Sequence, residues 1–216
     1  MKKLFVIAAL FLSMAAASAQ QFGVIGGLNL TKMDGVENSE GNKNMTLYSA
    51  GVLYKMDLGA GFAVQPTLTY QVKGAKIDQG NNILSTSKTG FAELSLGLQW
   101  GPDLLAFRPY LFVEPFVGYG VNVSEKIGWS SLNEELLKDY AKALTDARNK
   151  LEYGAGGGIG VEIAGHVQLS FQLFRNFGPL YKADDFNAVT ELKTVKSFYE
   201  PLKNYQGMKL SLAILF

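Results

Sequence analysis

The sequence of 216 residues predicts an all-β fold: an eight-stranded antiparallel transmembrane β-barrel with an amphipathic helix in one loop. Three observations lead to this fold class. Eight segments alternate between apolar and polar residues, short turns alternate with long polar loops, and aromatic residues collect at both ends of the apolar faces. An alternation with a period of two puts apolar side chains on one face of a strand. Short turns opposite long loops are the arrangement of transmembrane barrels.

The first 19 residues predict a secretory signal peptide. Lys2 and Lys3 precede an apolar run from Leu4 to Leu12, and Ala17-Ser18-Ala19 supplies a small-residue cleavage site. We assign residues 1–19 to the signal peptide and residues 20–216 to the barrel domain. Loss of the two lysines changes the formal net charge from +1 to about −1, so no basic excess favours a nucleic-acid partner. With zero cysteines, disulfides and thiolate metal sites are excluded.

In each predicted strand, alternate residues are apolar and lie on one face, and the residues between them are mainly polar and lie on the other. In chain order the strands run over residues 22–30, 47–58, 62–73, 91–100, 107–120, 151–163, 167–176 and 207–216. The third strand shows the pattern well, because Val64, Leu68 and Tyr70 alternate with Gln65, Thr67, Thr69 and Gln71. No apolar run near 18 residues follows the signal peptide, so a spanning helix is not predicted. Strands can cross lipid only when closure pairs every backbone group.

The connections predict which end of the barrel faces which compartment. Short turns fall at 59–61, 101–106 and 164–166, and long polar loops at 32–46, 74–90, 121–150 and 177–206. The short turns then face the periplasm and the long loops the cell exterior. An even number of strands brings both chain ends to the periplasmic side.

Aromatic residues on the apolar parity predict two membrane-interface girdles. From Phe62 to Tyr70 the strand rises roughly 26 Å, close to the ~25 Å apolar band of outer-membrane barrels. The girdle residues are Phe22, Phe62, Trp100, Phe107 and Phe216 at the periplasmic ends, and Tyr48, Tyr70, Tyr119 and Tyr153 at the outer ends.

Charged residues on the opposite parity predict a polar interior. Eight strands leave just enough room for side chains, and an unpaired buried charge is costly, so we expect a salt-bridged plug. The alternative is a narrow path for ions or protons lined by the same groups. Inward glycines at 154, 156, 158 and 160 would make room for bulky neighbours such as Tyr110 and Phe116. The predicted charge network comprises Lys55, Lys73, Glu93, Arg108, Glu114, Glu162 and Lys209.

Three prolines conflict with the strand assignment. Pro66, Pro109 and Pro115 lie inside predicted strands, and a closed barrel offers no free edge for a residue without an N–H group. We expect β-bulges or register breaks at these positions.

The third long loop predicts an amphipathic helix over 132–149. Ser131-Leu132-Asn133-Glu134 is a capping box, and Leu136, Leu137, Tyr140 and Leu144 follow at helical spacing. The apolar stripe either packs over the barrel mouth or binds a partner. Hydrophobic residues in the fourth loop favour its folding against this helix.

Little in the sequence favours catalysis or a cofactor. His166, the single histidine, falls in a periplasmic turn, so no base–nucleophile pair can be assembled with it. Gly154 to Gly160 misses the dinucleotide-binding spacing and continues as a strand. Asp184 and Asp185 alone do not form a calcium site. We therefore expect no metal, no cofactor and no enzymatic activity.

Three stretches of the chain resemble the PorT-like outer-membrane β-barrel family of the Bacteroidota. They are FGVIGGLNLTKM (Phe22 to Met33), AVQPTLTYQVKGAK (Ala63 to Lys76) and the closing LSLAILF. The resemblance covers the chain after the signal peptide in the same strand order. It implies an eight-stranded barrel located in the outer membrane, of a kind often labelled porin-like.

The expected function is a structural or interaction role in the cell envelope. A monomeric barrel would sit in outer-membrane lipid and contact a protein or surface ligand through loops 3 and 4. The alternative is a narrow porin-like channel for ions or small solutes. A soluble lipocalin-like carrier would need an apolar interior and a polar exterior, the reverse of the predicted facing.

Overall fold

The computed structural model describes residues 20–33, 42–43, 45–78, 83–129, 135, 138, 141–142, 145–146, 148–178 and 204–216. The predicted signal peptide lies outside these residues. The described strands are β1 (Gln20–Met33), β2 (Asn42–Lys43), β3 (Met45–Gly59), β4 (Phe62–Asp78), β5 (Ile83–Trp100), β6 (Phe107–Trp129), β7 (Leu151–Ile163), β8 (Val167–Asn176) and β9 (Tyr205–Leu215).

Eight of these strands close into an antiparallel barrel, which confirms the predicted fold class. The ring runs β4-β3-β1-β9-β8-β7-β6-β5 and closes through the pairing of β5 with β4. The two-residue β2 pairs with Lys76 and Ile77 at the outer end of β4. It lies on the edge of β4 that β3 occupies nearer the middle of the barrel. Closure leaves each barrel strand with a neighbour on both sides, as a lipid environment requires.

The facing of the side chains is the reverse of a soluble barrel. Along β9, Leu210, Leu212 and Ile214 are exposed on the outer wall, whereas Ser211 is buried inside. A small apolar cluster of Leu53, Ala213 and Leu215 closes the interior near the short turns. The rest of the interior is predominantly polar, so apolar burial against lipid replaces a conventional hydrophobic core.

Tight turns join the strands at the predicted periplasmic end. The β3–β4 turn passes through Gly59, Ala60 and Gly61 with φ of 84°, 52° and 79°, and the β7–β8 turn through Ala164 and Gly165 with φ of 51° and 71°. Left-handed backbone at successive residues matches the right-handed twist of the flanking strands. Such turns reverse the chain within a few residues at this rim, and a register shift between Asp57 and Gly59 lies directly beside the β3–β4 turn.

Three strands extend by five residues or more beyond their predicted bounds. Residues 74–90 and 121–150 read as loops, yet β4 continues to Asp78, β5 begins at Ile83, and β6 continues to Trp129. Only about 9–11 residues are needed to cross a bilayer. Beyond the lipid no apolar alternation is required, so the pattern stops at the outer girdle while the backbone ladder continues.

The prolines do not produce the expected bulges. Pro66, Pro109 and Pro115 pair in unbroken register with Leu96, Val161 and Ala155. The register shifts lie elsewhere, at Asp57/Gly59 and at Gly90/Phe91. In an antiparallel strand each N–H points to one neighbour only, so a proline weakens one ladder and leaves the other intact.

The predicted loop helix is only partly covered by the described residues. Glu135, Lys138, Ala141, Lys142, Thr145 and Asp146 are helical, and the Thr145 hydroxyl donates to the carbonyl of Ala141 at 2.8 Å. Leu132, Leu136, Leu137, Tyr140 and Leu144 lie outside the described residues, as does most of loop 4, so the helix and its packing stay predictions. In the described part of the chain, no helix combines the length and apolar character needed to cross a bilayer.

Candidate functional site

The interior of the barrel brings together the predicted charged residues. Lys55, Lys73, Glu93, Arg108, Glu114 and Glu162 are buried, and the side chain of Lys209 is 11% exposed. Glu152, which is absent from the predicted network, joins them and is also buried. The eight residues supply four cations and four carboxylates, so the charges of this group balance.

The cluster nearest the long loops is centred on Lys73. Its Nζ lies 2.7 Å from the Glu93 carboxylate and 2.9 Å from the Glu152 carboxylate. Asn176 donates to Glu152 and presents its Oδ1 3.5 Å from the same ammonium. Residues from β4, β5, β7 and β8 are thereby joined through one buried cation.

Three phenylalanine rings surround the same ammonium group. The Lys73 Nζ lies 4.2, 5.2 and 5.6 Å from the ring centroids of Phe116, Phe174 and Phe91. Ring faces attract a cation, the more so where water is excluded. Lys73 therefore sits in a closed cage of aromatic faces and carboxylates.

The middle of the interior is filled by Glu114, Lys209 and Gln172. The Lys209 Nζ lies 3.3 Å from Glu114 Oε1, and the Gln172 amide donates to the same oxygen at 3.1 Å. A cavity of about 20 Å³ lies beside these side chains. That volume has room for about one water molecule and not for a continuous water column.

The cluster nearest the short turns is centred on Glu162. Its carboxylate lies 2.9 Å from Lys55 Nζ and 3.9 Å from Arg108 Nη1, and it accepts a hydrogen bond of 2.9 Å from Gln168. Arg108 also donates to Gln99 Oε1 at 3.1 Å. These bonds close the periplasmic end of the interior.

Two of these contacts cross the full width of the barrel. In the strand ring β3 stands opposite β7, and β4 stands opposite β8. Lys55 of β3 meets Glu162 of β7, and Lys73 of β4 meets Asn176 of β8. Side chains from opposite walls are thus within bonding distance of each other.

A further buried group lies at the mouth, above the Lys73 cluster. Arg148 is 1% exposed and reaches in from the third loop; it donates to the Tyr205 hydroxyl, and its Cζ lies 5.0 Å from the Tyr205 ring centroid. Ser87 of β5 lies 3.2 Å from that hydroxyl. The sequence does not predict this group, because an arginine in a polar loop gives no periodic signal.

The inward glycines of β7 accommodate bulky side chains. A Cβ added at Gly160 would overlap the Tyr110 ring, and one added at Gly154 would overlap Phe116. At Gly156 the neighbour is Gln172, and at Gly158 it is the backbone of β8. The glycine run thus lets aromatic and amide side chains fill the lumen.

The nine predicted girdle aromatics all lie exposed on the outer wall. Phe62 packs on Trp100 with centroids 6.4 Å apart, and Tyr48 packs on Tyr70 at 6.5 Å. The exposed set is Phe22, Tyr48, Phe62, Tyr70, Trp100, Phe107, Tyr119, Tyr153 and Phe216.

His166 lies exposed in the β7–β8 turn, where its Nδ1 is 2.6 Å from the carbonyl oxygen of Ala164. It is at the opposite rim from Lys73 and Arg148. Among the residues that the structure describes, histidine and acidic side chains form no group of three suited to a metal ion.

Comparison with known families decides what kind of barrel this is. Residues 16–182 match the family described as the outer membrane protein beta-barrel domain. The chain belongs to that family. Membership agrees with the closed eight-stranded ring and supports the predicted outer-membrane localisation. No curated protein sequence gives a significant match.

Solved structures of outer-membrane proteins resemble the chain at low sequence identity. Neisserial surface protein A matches at 12% identity with a TM-score of 0.46, covering 90% of this chain and 97% of that one. Ail, the attachment invasion locus protein of Yersinia pestis, matches at 10% identity with a TM-score of 0.41, covering 91% and 97%.

A third similar structure corrects one prediction. The outer membrane enzyme PagL matches at 10% identity with a TM-score of 0.44, covering 89% of this chain and 98% of that one. The prediction that the chain is not an enzyme is therefore wrong, because this fold does not settle whether a chain is an enzyme. Barrels of this general shape include an enzyme.

Proposed function

We propose that this family member is an outer-membrane surface protein with a structural or interaction role, acting from its extracellular side while polar side chains close its lumen. Within the family we assign it to the PorT-like barrels, on the resemblance of residues 22–33 and 63–76. The single observation that supports a closed lumen is the series of buried ion pairs along the barrel interior.

Energetics favour a lumen that stays closed. Opening a water path would separate Lys55 from Glu162 and Lys73 from Glu93 and Glu152. Removing one partner from a buried pair costs about 3–5 kcal/mol, because the other charge is left uncompensated. Three such clusters in series oppose ion passage more strongly than one.

The extracellular side offers the surface for contacts. β5 and β6 stay paired from Gly90–Asn122 to Ile83–Trp129, beyond the outer girdle residue Tyr119. This adds roughly 25 Å of strand outside the apolar band. We propose that this projecting ladder, together with loops 3 and 4, presents the binding surface for a protein or surface ligand, and that the barrel works as a monomer in outer-membrane lipid.

Planar-bilayer recordings test the closed lumen. The folded protein should give no conductance steps over a range of salts and voltages. A Lys73→Ser/Glu93→Ser/Glu152→Ser variant, shown to be folded by heat-modifiable gel migration, supplies a matched barrel with a widened interior. Reproducible steps in the unmodified protein would favour the alternative function, a narrow channel for ions or small solutes.

A further inference from the structure

The outer wall of the barrel carries an open apolar groove of about 550 Å³. It crosses the strands from the end of β5 over β6, β7 and β8 to β9. The lining carries no charged residue, and its volume falls within the usual range of ligand pockets. A polar ligand would find few partners there, whereas a hydrocarbon would leave no polar group unsatisfied.

The strand register explains why a groove forms at this place. Outward side chains at Leu111, Ile159, Phe171 and Leu210 are cross-strand neighbours and form the wall nearer the cell exterior. A second row, Pro109, Val161 and Leu169, forms the wall nearer the periplasm. The floor between them is the backbone of Tyr110, Gly160 and Ser170, whose side-chain positions face inward. The groove therefore follows the hydrogen-bonding direction across the sheet.

The length and inclination of the groove suit one leaflet of a bilayer. From β5 to β9 it crosses four strand spacings, about 19 Å. Because strands tilt by about 45°, the groove covers roughly 13 Å of depth, close to half of the ~30 Å hydrocarbon core. One end lies at Trp100, the last residue of β5 beside a short turn, and the other at Leu210, five residues from the end of β9.

We propose that this groove is a binding site for an acyl chain of a phospholipid in the periplasmic leaflet. The ester end lies at Trp100, whose amphipathic indole suits the membrane interface. The chain extends from there along Gly160 towards Leu210. This site rests on the outer-membrane location of the family and not on the proposed role of the loops.

Native mass spectrometry of the full-length folded protein tests the site. The probe is dipalmitoyl phosphatidylethanolamine, added to detergent micelles before exchange into lipid-free detergent. The protein should retain a single lipid. Val161→Trp, which fills the groove, should lower the retained fraction at least about tenfold, equivalent to about 1.4 kcal/mol. Val52→Trp, on the exposed opposite wall, is the matched control and should retain lipid as before. No retained lipid, or equal retention in both variants, would overturn the proposal.

Fluorescence provides a test in which the groove itself is unaltered. The two tryptophans are Trp100 and Trp129, so Trp129→Phe leaves Trp100 as the reporter. Titration with a brominated phosphatidylethanolamine should quench Trp100 with saturation at one lipid per protein. A reporter placed by Val52→Trp in a chain without Trp100 and Trp129 should quench gradually without saturating. Indistinguishable curves would show ordinary lipid contact only and contradict a specific site.

Discussion

Lys73 is the residue on which the interior depends most. It has no exposed surface, and its ammonium group is held by two carboxylates and three aromatic rings that belong to β5, β6, β7 and β8. An ammonium group moved out of water loses several kcal/mol of solvation, which only good geometry recovers. Its loss would leave Glu93 and Glu152 buried together with like charge.

Lys73→Met should therefore destabilise the barrel by about 3–5 kcal/mol in urea titrations in phospholipid vesicles. Lys88→Met, on an exposed position of the neighbouring strand β5, should change stability by less than about 0.5 kcal/mol. Adding Glu93→Gln and Glu152→Gln to Lys73→Met should restore at least half of the loss. A neutral effect of Lys73→Met alone would show that the interior is hydrated and the pairing weak.

Gly160 makes the most direct steric prediction. Gly160→Ala should cost about 1–3 kcal/mol, because the new Cβ overlaps the Tyr110 ring. Gly26→Ala is the control, since the nearest atom to its added Cβ is 3.9 Å away. In a double-mutant cycle, Tyr110→Leu should relieve the clash, so the pair costs less than the sum of the two single changes. Strict additivity would mean that the two residues do not share this space.

At the scale of the strands, the sequence predicts a strand end correctly where the strand stops together with the apolar alternation that the membrane requires. The predicted limits of β7 and β8, 151–163 and 167–176, coincide with the observed strands, because both end where the alternation ends. The sequence predicts loops for the outer parts of β4, β5 and β6, since residues there, such as Ser85, Thr86 and Ser87, show no apolar alternation. The pairing between neighbouring strands therefore continues beyond the lipid, whereas the alternation of apolar and polar residues does not.

One pair of substitutions on β6 locates the lipid boundary. Val113 lies midway between the girdle residues Phe107 and Tyr119, whereas Val121 lies beyond Tyr119 on the same face; their exposures are 56% and 57%. Val113→Arg should cost about 2–4 kcal/mol, and Val121→Arg at most about 1 kcal/mol, because the penalty falls towards the interface. Urea unfolding in vesicles measures both. Equal costs would show that the girdles do not mark the edges of the apolar band.

At the scale of the whole molecule, closure creates contacts that no sequence pattern contains. Alternation along the strands predicts that Lys73 and Glu93 face inward; both are buried, and they lie on the adjacent strands β4 and β5. Glu152 is 79 residues from Lys73 and comes within 2.9 Å only because the ring brings β7 across the lumen from β4. Arg148 and Tyr205 meet at the mouth for the same reason. The face on which a side chain lies can be predicted from the local sequence, whereas its partner across the lumen depends on how the barrel closes.

The most direct test of a closed polar interior is the reactivity of cysteines placed inside it. The chain has no native cysteine, and Ser95→Cys and Ser211→Cys are close to isosteric at positions 5% and 4% exposed. Ser124→Cys, exposed on the projecting part of β6, is the reference. In vesicles, a charged water-soluble methanethiosulfonate reagent should modify the interior cysteines at least about 100-fold more slowly than the reference, as expected if local opening costs about 2.7 kcal/mol. Similar rates in the folded barrel, with equal rates for all three in urea, would mean a water-filled lumen and contradict the closed polar interior.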